Sequence, residues 1–157
     1  MNMLRSIAPG VMAALLGACA TTAPEQSSPG LQVGEEAVTQ VRPSTATSRP
    51  VLALLDQANS AAREGDLAVA EARLERALRI EPRNPVLWYY MAKLRLHQGR
   101  FAEAAGLAAK SNSLDRTSNR TLQADNWRII AHARQRSGDA AGAREAEQRA
   151  AALSQND

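Results

Sequence analysis

The sequence predicts an all-α protein made of helical hairpins, preceded by a segment without a regular fold. Three observations support this prediction. Aromatic residues make up only 3% of the chain and alanine supplies much of its apolar content, a composition that favours helices over strands. From position 51 onward, apolar residues recur with helical spacing, and glycines interrupt the pattern. Residues 20–50 show no such period.

The charge of the chain argues against a nucleic-acid-binding surface. The formal net charge is +3, from 19 basic and 16 acidic residues. The arginines alternate with glutamates instead of forming a run or a stripe, so we expect no nucleic-acid partner. Cys19 is the single cysteine of the chain, which excludes an intrachain disulfide and a cysteine-rich metal site.

The first residues are typical of a signal for export. Arg5 supplies positive charge, and the apolar stretch 7–16 is shorter than the roughly twenty residues that a transmembrane helix needs. Residues 16–19, with the letters LGAC, resemble the bacterial lipoprotein box of a branched apolar residue, two small residues and a cysteine. The resemblance implies a signal peptide over 1–18 and a lipidated Cys19.

The lipoprotein resemblance also implies a location. It adds a diacylglyceryl group on the Cys19 thiol and an acyl chain on its amino group, and two or more chains give stable anchoring. Ala20 is not the aspartate that retains enterobacterial lipoproteins at the inner membrane. We therefore expect an outer-membrane lipid anchor with the domain in the periplasm. The alternative is an ordinary secretory signal cut after Ala20, without a lipid.

The segment that follows the anchor predicts a tether. Residues 19–50 form the predicted linker, where Thr, Ser, Pro, Gly, Gln and Glu dominate, a composition typical of disorder. A flexible coil of this length has a root-mean-square span of about 30 Å. Such a tether would let a lipid-held domain search the space beside the membrane, or would serve only as a spacer.

A repeat appears when the chain is aligned on its interior glycines, Gly65, Gly99 and Gly138, which are 34 and 39 residues apart. A large apolar residue lies eleven positions before each glycine. An alanine lies seven positions before and another five positions after. These residues are Leu54, Trp88, Trp127, Ala58, Ala92, Ala131, Ala70, Ala104 and Ala143. The pattern resembles the tetratricopeptide repeat, a 34-residue pair of antiparallel helices.

This resemblance implies about three repeats over residues 51–153, forming a short solenoid, with a tail from 154 to 157. The glycines would adopt the left-handed conformation that ends the first helix of each repeat. Asn84 is placed as a helix N-cap before Pro85. The third repeat carries five extra residues before Trp127, so its first helix should start early, near Asn119.

In this family the first helices of the repeats line a concave binding groove. The resemblance predicts a groove that is apolar at one end and basic at the other, with Tyr89 central. Tyrosine and arginine often dominate binding energy, and we expect such side chains to be replaceable without loss of the fold. The predicted partner-binding residues are Asn59, Arg63, Tyr89, Lys93, His97, Arg128, His132 and Arg136. Among them, Asn59, Lys93 and Arg128 resemble part of a clamp for a C-terminal carboxylate.

No motif of the chain predicts catalysis. His97 and His132 lack a third residue at metal-ligand spacing, and there is no Ser-His-Asp set or glycine-rich phosphate loop. Glu71 and Glu75 lie on one helix face, and with Arg79 four residues after Glu75 they are spaced for ordinary pairing along the helix. We expect a binding protein and not an enzyme, without a metal or a cofactor apart from the lipid on Cys19.

The order of lipid box, tether and short repeat domain resembles that of small gammaproteobacterial lipoproteins of the LpoP type, which stimulate class A penicillin-binding proteins. The stretch from Trp88 to Arg128 is also similar to that group. The resemblance implies an adaptor or activator of a peptidoglycan synthase in the cell envelope. The alternatives are a pilotin-like assembly factor for a secretin or pilus system and, more remotely, a hydrolase.

Overall fold

The computed structural model describes residues 47–155. The predicted signal peptide, Cys19 and the linker up to residue 46 lie outside the described residues, as do residues 156 and 157. The described chain contains no strand, and none of its helices is long and apolar enough to cross a bilayer. Its six helices are α1 (Arg49–Arg63), α2 (Leu67–Ile80), α3 (Pro85–His97), α4 (Phe101–Leu114), α5 (Arg120–Arg136) and α6 (Ala140–Ser154).

Consecutive helices pair into three hairpins, which confirms the predicted fold class. The turns contain Gly65, Gly99 and Gly138, whose φ angles of 84°, 73° and 84° lie in the left-handed region. In each turn the N–H of the residue after the glycine donates to a carbonyl five residues back, at 2.8–2.9 Å. This hydrogen bond closes the end of the first helix, so the glycines end the helices as predicted.

Alanines form the interior of each hairpin. The pairs Ala58 with Ala70, Ala92 with Ala104, and Ala131 with Ala143 are all buried, and none is more than 6% exposed. Small side chains allow close approach of the helix axes, and such a tightly packed interior tolerates little added volume. The hairpins also stack, because α2 contacts α3, α4 contacts α5, and α3 contacts α5.

The connection into the third repeat is held by side-chain caps. Asn119 accepts a hydrogen bond from the Leu122 N–H at 3.0 Å, so α5 begins early as predicted. The Asp115 carboxylate accepts the N–H of Thr117 at 3.1 Å and that of Asn119 at 2.8 Å. Burial would raise the pKa of Asp115, but hydrogen bonds from the Thr117 hydroxyl and the Gln123 amide, together with those from the two N–H groups, outweigh it, so the pKa lies below its usual value.

A buried polar link joins the second and third repeats. The Asn126 side chain is fully buried, and its Nδ2 donates to Ser111 Oγ and to Asn112 Oδ1, both at 2.8 Å. Ser111 in turn donates to the Pro85 carbonyl at 2.8 Å. Since buried polar groups are costly unless they are hydrogen-bonded, these bonds favour this position of α5 against α3 and α4, although Asn126 Oδ1 is buried without a partner within residues 47–155.

Helix α1 begins at Arg49, two residues before the predicted domain boundary. The preceding Ser48 donates from its N–H and its hydroxyl to Glu81, at 2.9 and 2.6 Å. Asn84, which caps α3 as predicted, also donates to Thr47 Oγ1 at 3.0 Å. The chain therefore enters the domain at the turn between α2 and α3.

Candidate partner-binding cleft

A cleft of about 280 Å³ lies between α3 and α5, where the first helices of the second and third repeats face each other. The lining positions recur three or four residues apart on each helix, so each helix contributes one face. We call this feature the inner cleft. Its lining residues are Tyr89, Lys93, Leu96, His97, Asp125, Arg128, Ile129, His132 and Arg136.

Tyr89 lies at the bottom of the inner cleft and belongs to the core. It is 1% exposed and packs edge-to-face on Tyr90, with ring centroids 5.1 Å apart. Burial raises the pKa of its hydroxyl. The expectation that Tyr89 can be replaced without loss of the fold is therefore wrong, because truncating a buried ring leaves a cavity.

Asp125 places a carboxylate inside the inner cleft. Its side chain is buried, and Oδ1 accepts a hydrogen bond from Arg128 Nη1 at 2.5 Å. Oδ2 is also buried, without a hydrogen-bond partner among residues 47–155. Burial raises the pKa of Asp125, while Arg128 and Lys93 act in the opposite direction.

Arg128 supports the fold as well as lining the cleft. Besides pairing with Asp125, it donates to Ser154 Oγ at 2.8 Å and so links α5 to α6. A glutamate at this position would place a second carboxylate beside the buried one. Contrary to our expectation, Arg128 is thus not a neutral site for substitution.

The remaining cations of the inner cleft lie against aromatic rings. Lys93 Nζ is 5.7 Å from the ring centroid of Tyr89, and Arg136 Cζ is 4.9 Å from that of Phe101. Within residues 47–155 neither side chain forms an ion pair with a carboxylate. Burial lowers the pKa of Lys93, and the nearby Asp125 opposes that effect.

Two histidines complete the cleft. His97 and His132 both line it, and the Nδ1 atom of His132 is buried without a hydrogen-bond partner in the described chain. Burial lowers the pKa of His132, and the charges of Arg136 and His97 lower it further. Among residues 47–155 no group of three or more histidine, cysteine, aspartate or glutamate side chains is placed to hold a metal ion.

The structure brings most of the predicted groove residues together but leaves two apart. Tyr89, Lys93, Arg128 and the histidines line one cleft with Arg136. Asn59 and Arg63 do not line it. Asn59 instead hydrogen-bonds Tyr90, an effect that opposes the rise in the pKa of Tyr90 caused by burial. Ile129 is not among the residues predicted from the sequence, although its position four residues after Asp125 places it on the same helix face.

A second and larger concavity of about 610 Å³ lies between α2 and α4, on the other side of α3. We call it the outer groove, and apolar side chains such as Leu78, Met91 and Leu107 line much of it. Arg95 in this groove pairs with Glu71 at 2.6 Å and with Glu103 at 3.5 Å.

The Glu71–Arg95 pair corrects one sequence prediction. Glu71 belongs to an ion pair between two repeats rather than to ordinary pairing along α2, and its carboxylate also accepts a hydrogen bond from Gln98 at 2.9 Å. The hydrogen bonds from Arg95 and Gln98 lower the pKa of Glu71 to about 2.

Hairpins of this register, closed by left-handed glycines and packed through alanines, define a tetratricopeptide-repeat protein, and the tetratricopeptide-repeat family profile matches residues 61–121. The chain is 44% identical to the solved globular C-terminal domain of P. aeruginosa LpoP. The match has a TM-score of 0.63 and covers 66% of this chain and 97% of that domain. The chain therefore belongs to the LpoP family, and its fold is that of a protein-interaction module.

A second solved structure shares the fold of this chain. The N-terminal domain of stress-induced protein-1 (STI-1) from C. elegans superposes with a TM-score of 0.64 at 21% identity, covering 72% of this chain and 91% of that domain. This likeness concerns the fold alone. No curated protein sequence matches the chain.

Proposed function

We propose that this protein is a lipid-anchored periplasmic activator of a class A penicillin-binding protein and that it binds this synthase through the inner cleft. The observation that carries the proposal is a cleft with three cationic side chains and one carboxylate in a chain 44% identical to the LpoP domain. The resemblance of the lipid box and the tether to lipoproteins of that type supports the same function.

The inner cleft suits the capture of a protein segment. Its volume of about 280 Å³ has room for a few side chains, and larger contacts would extend over the surrounding surface. The alanine-packed hairpins and the Ser111–Asn126 link keep α3 and α5 in fixed positions. Binding to such a prearranged surface avoids the entropic cost of ordering it.

The proposed lipid anchor would act on the binding equilibrium. When both proteins are attached to the cell envelope, the domain meets the synthase within the volume that its linker can reach. The length of the linker then sets the effective concentration of the domain near the synthase. We therefore expect the domain to bind the synthase without its lipid in a purified system, where protein concentration replaces the anchor.

The direct test uses the chain from residue 20 to 157 and a purified class A penicillin-binding protein. The variant combines His97→Ala with Arg136→Ala, since both positions are exposed, and Arg144→Ala on α6 is the matched control. We expect the wild type and the control to bind the synthase and raise its rate of glycan polymerisation. The double variant should lose at least about tenfold in affinity, roughly 1.4 kcal/mol.

Helical circular dichroism and melting temperature should be equal in the three proteins, which separates a loss of binding from a loss of folding. Absence of binding by the wild type would refute the proposed partner. Equal binding by all three proteins would refute the inner cleft as the site. A pilotin-like protein would instead cause mislocalised secretin in cells that carry the double variant, with cell-wall synthesis unchanged.

The anchor has its own test. Acylation requires the thiol, so Cys19→Ser should leave an unprocessed precursor or a form that is lost from the outer-membrane fraction, and labelled palmitate should enter only the wild type. Retention of the Cys19→Ser protein in outer membranes, together with no label in the wild type, would refute the lipid anchor.

A further inference from the structure

The inner cleft carries an excess of positive charge that the domain does not neutralise. Arg128 pairs with Asp125, whose charge also acts on Lys93, but neither Lys93 nor Arg136 forms an ion pair within residues 47–155. Charges at the rim of a cleft with low-dielectric walls attract ligands of the opposite sign.

The same cleft also offers an unused acceptor. Asp125 is 6% exposed, and its Oδ2 has no hydrogen-bond partner in the described chain. A buried carboxylate oxygen is costly when it accepts no hydrogen bond. A ligand that supplies an N–H at this point would therefore gain more than its own hydrogen bond.

The bottom of the cleft is apolar. Leu96 and Ile129 line the cleft together with the buried Tyr89. A ligand that matches this lining therefore combines an anion for the cations, an N–H donor for Asp125 and an apolar side chain for Leu96 and Ile129. A peptide provides all three features within a few residues, whereas a free phosphate would lack the apolar group.

We infer that the inner cleft binds an acidic segment of the partner protein, in which an aspartate or glutamate lies next to an apolar residue. The acidic side chain pairs with Lys93 or with Arg136, the apolar side chain packs on Leu96 and Ile129, and a backbone N–H donates to Asp125. The inference deepens the proposed function and rests on it for the site, but it does not depend on which protein carries the segment.

The test selects peptides without assuming a partner. A random peptide library displayed on phage is panned against the chain from residue 20 to 157 in three forms. These are the wild type, Arg136→Glu in the cleft, and Arg144→Glu on α6, a control with the same change of charge. The wild type and the control should enrich acidic peptides with a neighbouring apolar residue, and Arg136→Glu should lose this enrichment.

The strongest peptide is then synthesised with blocked ends, and its affinity is measured by fluorescence anisotropy at low and high salt. We expect at least about a fivefold loss of affinity from 50 to 300 mM sodium chloride, because ions screen exposed charges. Neutral or basic selected peptides would overturn the inference, and so would an affinity that neither salt nor Arg136→Glu changes.

The outcomes separate this inference from the proposed function. If acidic peptides bind the cleft and the synthase does not bind the protein, the proposed partner is wrong and the acidic specificity stands. If the synthase binds with an affinity indifferent to salt and to Arg136→Glu, the acidic specificity is wrong and the proposed partner stands.

Discussion

The inner cleft and the outer groove lie on opposite sides of α3 and differ in the balance of charge along their linings. The outer groove is larger, about 610 against 280 Å³, but its Arg95 is paired with Glu71 and Glu103. In the inner cleft Lys93 and Arg136 lie against aromatic rings. The outer groove is lined by two arginines and two glutamates, whereas the inner cleft is lined by three cations and one carboxylate, so the smaller concavity carries an excess of positive charge that the larger one lacks.

The largest expected effect is a difference between equal charge reversals in the two regions. Arg136→Glu in the inner cleft should weaken binding of the synthase by at least about 30-fold, the size of a binding hot spot. Arg79→Glu in the outer groove should change the affinity less than about twofold, as surface charges outside an interface do. Isothermal titration of both variants measures the two affinities, and the reverse order would exchange the roles of the two regions.

A smaller effect is expected on the stability of the hairpin formed by α3 and α4. Ala92 and Ala104 are fully buried between α3 and α4, whereas Ala102 is exposed. Ala104→Leu should lower the free energy of unfolding by roughly 1–3 kcal/mol through overpacking, and Ala102→Leu should leave it nearly unchanged. Denaturant unfolding of the two leucine variants checks this expectation. Equal stabilities would mean that the alanine register of the hairpin is wrong.

The smallest effect concerns the paired charges of the outer groove. The pKa of Glu71 is lowered to about 2 from an ordinary 4.5. The ionised Glu71 side chain therefore stabilises the folded domain fully at pH values above 4.5, the pKa of the unfolded chain. That contribution is lost as pH falls from 4.5 toward 2. Glu71→Gln should therefore destabilise the domain at pH 7 by about 1–2 kcal/mol. Thermal unfolding of both proteins should show this difference shrinking in acid, and a difference that stays constant down to pH 2 would rule out the ion pair as its cause.

Much of the fold could be predicted from the sequence because its signals are local. A left-handed glycine ends a helix by means of its own backbone, and Gly65, Gly99 and Gly138 do so where the alignment placed them. Asn119 caps α5 through the N–H of a residue three positions on. Such features require no knowledge of distant contacts.

The burial of Tyr89 could not be predicted in the same way. Helix α3 is the first helix of the central repeat, and neighbours on several sides cover it. Its buried residues are Val86, Leu87, Tyr89, Tyr90, Met91, Ala92 and Leu94. On a helix that is buried nearly all round, apolar periodicity does not distinguish a groove position from a core position. Tyr89 lies both in the lining of the cleft and in the core.

Contacts distant in sequence were also beyond prediction. Glu71 pairs with Arg95, 24 residues away, although spacing along α2 indicated only local pairs. Ser48 reaches Glu81 over 33 residues and ties the entry of the chain to the turn between α2 and α3. These contacts depend on how neighbouring hairpins stack, and the periodicity of a single helix carries no information about that.

Photocrosslinking in intact cells tests whether the partner binds the inner cleft. A photoreactive amino acid is placed at position 97, an exposed position that lines the inner cleft, or at position 106 in the outer groove. Position 106 accepts a side chain, because a Cβ on Gly106 would meet no atom within 4 Å. We predict a crosslink to a class A penicillin-binding protein from position 97 and none from position 106. A crosslink from position 106 without one from position 97 would refute the inner cleft as the binding site.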